Sequence, residues 1–181
     1  MTGTLFLIVG PSGVGKDSLI EGAKAQLSAD PTYYFPQRFI TRPQDAGGED
    51  HFAVEPSVFE DKRQRGDFAL FWNAHGLSYG VPADISARLK RGQHVVVNVS
   101  RAILDEARQR FSPLVVVSIT APSKVIEQRL TARGRETAPE IADRIARAAA
   151  YDVTGPGVIF LNNDASLDAG VSKLVEILEA S

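Results

Sequence analysis

The sequence predicts an α/β fold in which a parallel sheet is covered by helices on both faces. Short β-branched runs alternate with helical patterns along the chain, the order that builds parallel strands connected by helices. The strand candidates are apolar without interruption, as expected of strands buried on both faces. With 181 residues, 44% of them hydrophobic and 23% charged, the chain has the size and composition of one globular domain.

Five predicted strands and six predicted helices account for most of the chain. The strands are Thr4–Val9, Phe35–Ile40, His94–Val99, Leu114–Thr120 and Val158–Leu161. The helices are Lys16–Ser28, Pro82–Arg91, Arg101–Arg110, Pro122–Arg133, Pro139–Tyr151 and Leu167–Ala180. Pro82, Pro122 and Pro139 each stand in the first turn of a helix, where proline is tolerated.

Two segments interrupt this alternation. Residues 42–81 are rich in Gly, Asp and aromatic residues, and we expect them to form a small subdomain inserted after the second strand. Residues 133–139, RGRETAP, form a polar connection between two helices. Such connections are where moving parts of an enzyme lie. We therefore expect a helical lid at about residues 133–144 within a single domain that spans residues 1–181.

Composition and charge exclude several classes of protein. The chain has no Cys, which excludes a disulfide scaffold, a zinc ribbon and a thiol nucleophile and fits a reducing compartment. Its net charge of −2 gives no global positive field for nucleic acid or an anionic membrane. The apolar run Leu5–Val9 is too short to span a bilayer and lacks the flanks of a signal peptide. We expect a cytoplasmic protein without nucleic-acid or membrane partners, and its oligomeric state stays open.

The strongest local motif is GPSGVGKDS, which follows the first strand and opens the first helix. Glycines let backbone N–H groups converge on phosphate oxygens, and the helix N-terminus adds its positive end. Lys16 is placed to reach the β and γ phosphates of a nucleotide. A glycine-rich turn without a ligand is the alternative. The predicted nucleotide-binding residues of this phosphate loop are Gly10, Pro11, Ser12, Gly13, Val14, Gly15, Lys16, Asp17 and Ser18.

Asp17 stands where this motif usually has the Ser or Thr that ligates magnesium. Ser18 does not replace that residue, because one step along a helix turns a side chain by about 100°. A carboxylate is a hard oxygen donor for Mg²⁺, directly or through its waters, and its charge is tolerated at a helix start. Asp17 is therefore the candidate metal ligand, and a capping residue in a degraded motif is the alternative.

Several segments together resemble the guanylate kinase superfamily, and more closely its ribose 1,5-bisphosphate phosphokinase branch. The resemblance covers nearly the whole chain and implies the P-loop NTPase fold. The combination GKDS, ITRP, WNAHGLSYG and NVSR is specific to that branch. The segments are GPSGVGKDSL from Gly10, RFITRP from Arg38, AGGEDHFAV from Ala46, FALFWNAHGLSYGVP from Phe68, VVVNVSR from Val95 and RLTARGRET from Arg129.

The resemblance implies ATP-dependent phosphorylation of ribose 1,5-bisphosphate on its 1-phosphate, giving 5-phosphoribosyl 1-diphosphate and ADP in phosphonate breakdown. Its substrates would be ATP and a small phosphorylated sugar, with Mg²⁺ as cofactor. Because the acceptor oxygen is already anionic, catalysis reduces to alignment and charge neutralisation, and no general base is needed. The implied catalytic residues are Lys16, Arg133, Arg135 and Arg144, and the residues matched to the acceptor's phosphates are Arg38, Arg42 and Tyr79.

Two departures from guanylate kinases bear on the acceptor. Phe71 and Ser100 stand where those enzymes bind the guanine edge with carboxylates, so the resemblance makes GMP an unfavourable acceptor. Arg38 replaces a small hydroxyl residue, and this added cation suits a second phosphate on the substrate. Ser100 is kept as a candidate contact to ribose or to a water on Mg²⁺.

The remaining candidates each have a structural alternative. His51, in the place of a phosphate-binding tyrosine, and His75, in the acceptor segment, are candidate substrate contacts, although a lone His is more often structural. Asn163 follows the last strand and is a candidate for the adenine pocket. Glu49 either orients an arginine or a ribose hydroxyl, or polarises a turn. The side chains of Arg129, Arg144 and Arg147 also fit solvated helix faces, and those of Phe71 and Trp72 fit the core.

Two rival functions stay open at this point. A nucleoside monophosphate kinase would turn over GMP. A guanylate-kinase-like binding module would have lost catalysis, but it would have no reason to keep Lys16 and an arginine-rich lid.

Overall fold

The computed structural model describes residues 2–44, 49–134, 136–150 and 152–180. Its strands are Leu5–Val9 (β1), Tyr33–Tyr34 (β2), Arg38–Ile40 (β3), His51–Ala53 (β4), Phe68–Ala74 (β5), Leu77–Pro82 (β6), His94–Asn98 (β7), Leu114–Thr120 (β8) and Val158–Asn162 (β9). Its helices are Lys16–Gln26 (α1), Pro56–Gln64 (α2), Ile85–Lys90 (α3), Leu104–Arg110 (α4), Ser123–Arg133 (α5), Ala138–Ala149 (α6) and Leu167–Glu179 (α7). The strands form a sheet of order β2-β7-β1-β8-β9 and a sheet of order β4-β3-β6-β5.

One compact unit comprises residues 1–6 and 30–114. It contains the four-stranded sheet, in which β3 pairs parallel to β4 and antiparallel to β6, and β5 and β6 form an antiparallel hairpin. Aromatic rings fill this sheet's core, with the centroids of Phe59 and Phe68 4.7 Å apart and those of Phe39 and Phe68 5.6 Å apart. The same unit holds β2, which pairs parallel to β7. The sequence predicted a subdomain in this part of the chain but not its sheet.

The other compact unit comprises residues 7–29 and 115–181. Its strands β8 and β9 pair parallel from Val116 opposite Val158 to Thr120 opposite Asn162. Helix α1 packs against α7 at Gly22, where an added Cβ would lie 2.3 Å from Val171 Cγ2. The close approach of these helices therefore depends on a residue without a side chain. Helices α5 and α6 also pack against each other in this unit.

The predicted second strand, Phe35–Ile40, is wrong as one element. Tyr33–Tyr34 belongs to the five-stranded sheet and Arg38–Ile40 to the four-stranded sheet, with no strand at residues 35–37. Pro36 lies at this break, and proline has no N–H to donate to a strand ladder. The neighbouring segments 33–34 and 38–40 therefore belong to different sheets.

The start of the predicted helix Pro82–Arg91 is also wrong. Pro82 is the last residue of β6, opposite Phe68, and α3 begins at Ile85. Arg101–Ile103 forms a 3-10 turn before α4. The other predicted elements agree with the structure to within two residues at each end, except that Tyr151, the predicted end of α6, lies outside the described residues. Within the described ranges, none of the helices has the length and apolarity needed to cross a bilayer.

Candidate functional site

The phosphate loop connects β1 to α1, and two of its glycines have left-handed backbone angles. The φ angle is 82° at Gly13 and 95° at Gly15, values that L side chains rarely adopt. An added Cβ would lie 2.8 Å from Leu130 Cδ2 at Gly13 and 2.8 Å from Asn163 Nδ2 at Gly15. The side chains of Leu130 and Asn163 therefore pack closely against the loop backbone, and both positions require glycine.

Two side chains donate hydrogen bonds to the same backbone carbonyl of this loop, that of Val14. Asn163 Nδ2 donates to Val14 O at 2.8 Å, and Arg129 Nη1 donates to it at 3.1 Å. Asn163 is 3% exposed, so it supports the loop, and this geometry gives no support to an adenine contact from its side chain. Arg129 holds the loop and does not merely solvate a helix face.

Lys16, Asp17 and Ser18 form the first turn of α1. Lys16 Nζ donates to Gly10 O at 2.7 Å and to Pro11 O at 2.9 Å, which holds the ammonium group at the loop. Asp17 is exposed and adds a carboxylate at the helix N-terminus, and Ser18 is exposed as well. A cation and a hard oxygen donor thus lie on neighbouring residues beside a run of backbone N–H groups.

The predicted lid, residues 133–144, runs from the end of α5 into α6, and two of its arginines share one acid. Arg133 Nη2 donates to Glu136 Oε1, and Arg144 Nη2 lies 3.4 Å from the same oxygen. Arg144 Nη1 also donates to Ser12 Oγ in the phosphate loop. Arg135 lies outside the described residues. Glu136 therefore joins Arg133 to Arg144, and Arg144 connects this pair to Ser12.

A second acid fixes the start of α6. Glu140 Oε2 accepts hydrogen bonds from the backbone N–H of Thr137 at 2.7 Å and from its hydroxyl at 2.8 Å. These bonds, the backbone one foremost, lower the pKa of Glu140 below its usual value of 4.5. The helix that carries Arg144 is therefore stabilised at its first residue by an ionised carboxylate.

In the unit that holds the predicted acceptor residues, Arg38 is a buried cation. Its Nε donates to Glu49 Oε2 at 3.0 Å and its Nη2 donates to Glu49 Oε1. Its guanidinium lies 5.5 Å from the ring centroid of Trp72 and 5.4 Å from that of Tyr79, and the two rings are stacked. Of the two interpretations of Glu49, the structure supports the one in which it orients an arginine.

His51 lies in the same unit, and its ring is 1% exposed. Nδ1 is 3.0 Å from Glu49 O, and Nε2 is 3.0 Å from Arg42 O. Arg42 Nη2 lies 3.5 Å from Nδ1. Both ring nitrogens thus contact main-chain carbonyls and join Arg42 to Glu49. This arrangement supports a structural role for His51 rather than the predicted substrate contact.

His75 and Ser100 have local structural roles. His75 and Gly76 form the two-residue turn between β5 and β6, with φ angles of 53° and 74°, which places His75 exposed at a hairpin tip. Ser100 Oγ accepts a hydrogen bond from Ala102 N at 3.3 Å and caps the 3-10 turn. Trp72 is buried as expected, but Phe71 is 37% exposed, with the Arg63 guanidinium 5.5 Å from its ring centroid.

A family model of guanylate kinase matches residues 2–181. The ribose 1,5-bisphosphate phosphokinase PhnN of Acidiphilium cryptum is 54% identical over 149 residues, which are 82% of this chain and 79% of that protein. The chain belongs to the ribose 1,5-bisphosphate phosphokinase branch of the guanylate kinase family.

Other members and relatives of this family define the extent of the similarity. The bifunctional ribose 1,5-bisphosphokinase-thymidine phosphorylase of Cupriavidus pinatubonensis is 44% identical over 177 residues, 98% of this chain but 29% of that protein. The chain thus spans less than a third of the length of this bifunctional relative. The crystal structure of guanylate kinase from Anaplasma phagocytophilum superposes with a TM-score of 0.66 at 18% identity, covering 99% of this chain and 86% of that one. The predicted P-loop fold class is confirmed.

Sequence analysis of this guanylate kinase family member missed two residues that hold its candidate site. Arg129 supports the phosphate loop from α5, and Glu136 joins the lid arginines. The only signal for Glu136 was an acid inside a basic, polar connection. Among the described residues, no group of three or more His, Asp or Glu is arranged to hold a metal ion.

Proposed function

We propose that this chain catalyses ATP-dependent phosphorylation of ribose 1,5-bisphosphate on its 1-phosphate, giving 5-phosphoribosyl 1-diphosphate and ADP. The observation that carries the proposal is 54% identity with a protein named as this phosphokinase, in a chain whose phosphate loop keeps its glycines and Lys16. In this proposal a single kinase domain spans residues 1–181, with the acceptor subdomain at about 42–81 and the lid at about 133–144.

ATP is bound by the phosphate loop. Backbone N–H groups between Ser12 and Ser18 surround the β and γ phosphates. Lys16, which two carbonyls hold at the loop, transfers its contacts to phosphate oxygens. Arg144 already contacts Ser12 of the loop and supplies positive charge where charge develops on the transferring phosphoryl group. Arg133 and Arg135 complete this catalytic set.

The residues at the start of α1 fit Mg²⁺. Asp17 offers a carboxylate oxygen beside Lys16 in a partly exposed first turn, and Mg²⁺ is commonly held by one or two carboxylates together with substrate phosphates. When bound, the ion neutralises charge on the β and γ phosphates. Asp17 would hold the ion, either directly or through its waters.

The acceptor needs cations rather than a base. Its reacting group is a phosphate oxygen that is already anionic, so no proton is removed and the chain's residues only position and neutralise the sugar phosphate. Tyr79 is partly exposed beside Arg38. Arg42 is partly exposed, and its buried Nε has no hydrogen-bond partner among the described residues. These observations support Arg42 and Tyr79 as contacts to the acceptor's phosphates. Arg38 could contact a phosphate only after breaking its hydrogen bonds to Glu49. Otherwise it acts indirectly, by holding Trp72 and Tyr79 in place.

GMP is not favoured as the acceptor. The positions matched to the guanine-binding carboxylates hold Phe71 and Ser100, and Ser100 is the cap of a 3-10 turn. A site without those acceptors loses the hydrogen bonds that select guanine.

A coupled ADP-release assay tests the proposal. With Mg²⁺ and ATP, we expect turnover with ribose 1,5-bisphosphate and little or none with GMP at equal concentration. Lys16→Ala should lower kcat by at least about 100-fold. Lys24→Ala is the matched control, because Lys24 is an exposed lysine on the same helix. Turnover with GMP alone, or full activity of Lys16→Ala, would refute the proposal.

A further inference from the structure

Glu136 lies in the short connection between α5 and α6, and its side chain is 6% exposed. One of its oxygens, Oε1, is shared by two guanidinium groups: Arg133 Nη2 donates to it, and Arg144 Nη2 lies 3.4 Å away. The two arginines are less buried, with side chains 38% and 33% exposed. The carboxylate is thus the buried member of the group, and the arginines are the more exposed members.

The helices before and after Glu136 limit where its carboxylate can lie. Helix α5 ends at Arg133 and is capped by Gly134 in a left-handed conformation, with φ of 65°. Helix α6 begins directly after Thr137, which is bound to Glu140. Helices α5 and α6 also pack against each other, which holds their ends close together. A carboxylate anchored in this way can orient two long side chains at a smaller entropic cost than each would bear alone.

The same arrangement aims one arginine at the phosphate loop. Arg144 contacts Glu136 through Nη2 and Ser12 Oγ through Nη1. Its planar guanidinium is therefore held by an anion on one side and presented to the loop on the other. Without the carboxylate, Arg133 and Arg144 would carry like charges in one region with no shared partner, and both would turn towards solvent.

We propose that Glu136 is a positioning residue that holds Arg133 and Arg144 in the orientation that engages the terminal phosphate of the nucleotide. This inference rests on the proposed function, because it takes the phosphate loop as an ATP site. Glu136 acts through the arginines and makes no contact with the reacting atoms.

Two quantities test the inference on the full chain. The first is kcat for phosphoryl transfer. The second is a ratio measured by calorimetry: the dissociation constant of Mg²⁺-ADP divided by that of the Mg²⁺ complex of a non-hydrolysable ATP analogue. The ratio reports recognition of the γ-phosphate and needs no acceptor. For Glu136→Gln we expect kcat to fall about 10- to 100-fold and the ratio to fall towards one.

Control variants separate positioning from a structural role. Glu127→Gln makes the same chemical change at an exposed glutamate of α5 and should keep the wild-type kcat and ratio. In an Arg144→Ala background, Glu136→Gln should lower kcat much less than it does in the wild type, because residues that act as a unit are not additive. All variants are compared where circular dichroism shows them folded. If Glu136→Gln does not fold, Glu136→Asp, which keeps the charge but withdraws the carboxylate, should show a smaller loss of both quantities.

The outcomes distinguish this inference from the proposed function. If the wild type transfers no phosphate to the sugar, the proposed function fails, and the binding ratio still decides the role of Glu136. An unchanged ratio in Glu136→Gln would overturn the inference even if the kinase is active. The inference would also be overturned if Glu136→Gln lowered kcat in the Arg144→Ala background as much as it does in the wild type, since Glu136 would then act independently of that arginine.

Discussion

At the scale of single residues, charges in this protein are held by specific partners. Arg38 is the clearest case, because its side chain is 6% exposed and Glu49 binds it through two hydrogen bonds. A buried cation of this kind is tolerated only when it is paired. Stacked Trp72 and Tyr79 lie against the same guanidinium and add cation–π attraction. Glu49 therefore maintains the structure around the predicted acceptor residues.

Removing Glu49 should be costly. Glu49→Ala leaves Arg38 as an uncompensated buried charge, and we expect the free energy of unfolding to fall by about 3 kcal/mol. Urea unfolding followed by circular dichroism measures this loss. Glu60→Ala, which breaks the exposed pair with Arg63, is the control and should have a much smaller effect. Equal losses in the two variants would show that the Arg38 pair is not energetically special.

At the scale of elements, the loop and the lid depend on contacts made at the ends of helices and strands. The phosphate loop is held by Asn163, which follows β9, and by Arg129 from α5. The lid helix α6 is held at its start by Glu140, which is bound to Thr137. The loop and the lid that we propose to bind the nucleotide's phosphates are therefore positioned by other residues of the chain.

The stabilisation of α6 by Glu140 should depend on pH. Because its pKa in the folded protein is below the usual 4.5, the ionised carboxylate contributes stability above that value. This contribution is lost as pH falls through the folded pKa. Glu140→Gln should therefore be less stable than the wild type near neutral pH, and the difference should shrink in acid. Urea unfolding across this pH range measures it, and a difference that does not change with pH would contradict the role of the charge.

Glycine at the start of the phosphate loop should be indispensable for packing. An added Cβ at Gly10 would lie 2.6 Å from Ile119 O, a backbone atom that cannot turn aside. Gly66 also has a positive φ, of 77°, but an added Cβ there meets nothing within 4 Å. We expect Gly10→Ala to lower the melting temperature more than Gly66→Ala and to weaken ATP binding. Equal shifts would mean that the loop can move away from β8.

At the scale of the whole molecule, local patterns in the sequence predicted the phosphate loop and its helix better than the segments expected to bind the acceptor. The phosphate loop and its helix were found because Gly10 to Lys16 are contiguous and their chemistry follows from that spacing. The range of β8 was also predicted, since Leu114–Thr120 is one uninterrupted apolar strand. The run around Pro36 was not resolved, because which of two sheets a short strand joins depends on distant partners.

Burial explains the remaining differences. His51 and Asn163 are polar residues beside predicted binding segments, so their types suggested ligand contacts. The structure instead commits their side chains to main-chain carbonyls at Glu49, Arg42 and Val14. Glu136 is the opposite case, because sequence analysis assigned it no role. It belongs to no motif, yet it binds two arginines that are eleven positions apart in the sequence. Such partners are fixed by the packing of α5 on α6, which no local pattern encodes.

The central claim is that this chain phosphorylates a sugar phosphate on its 1-phosphate and does not phosphorylate a nucleotide. The most direct measurement is ³¹P NMR of one reaction that contains ribose 1,5-bisphosphate and GMP at equal concentration with limiting Mg²⁺-ATP. We predict loss of the 1-phosphate resonance, growth of two coupled diphosphate resonances on the sugar, and an unchanged GMP signal. Formation of GDP with the sugar phosphate unchanged would contradict the account.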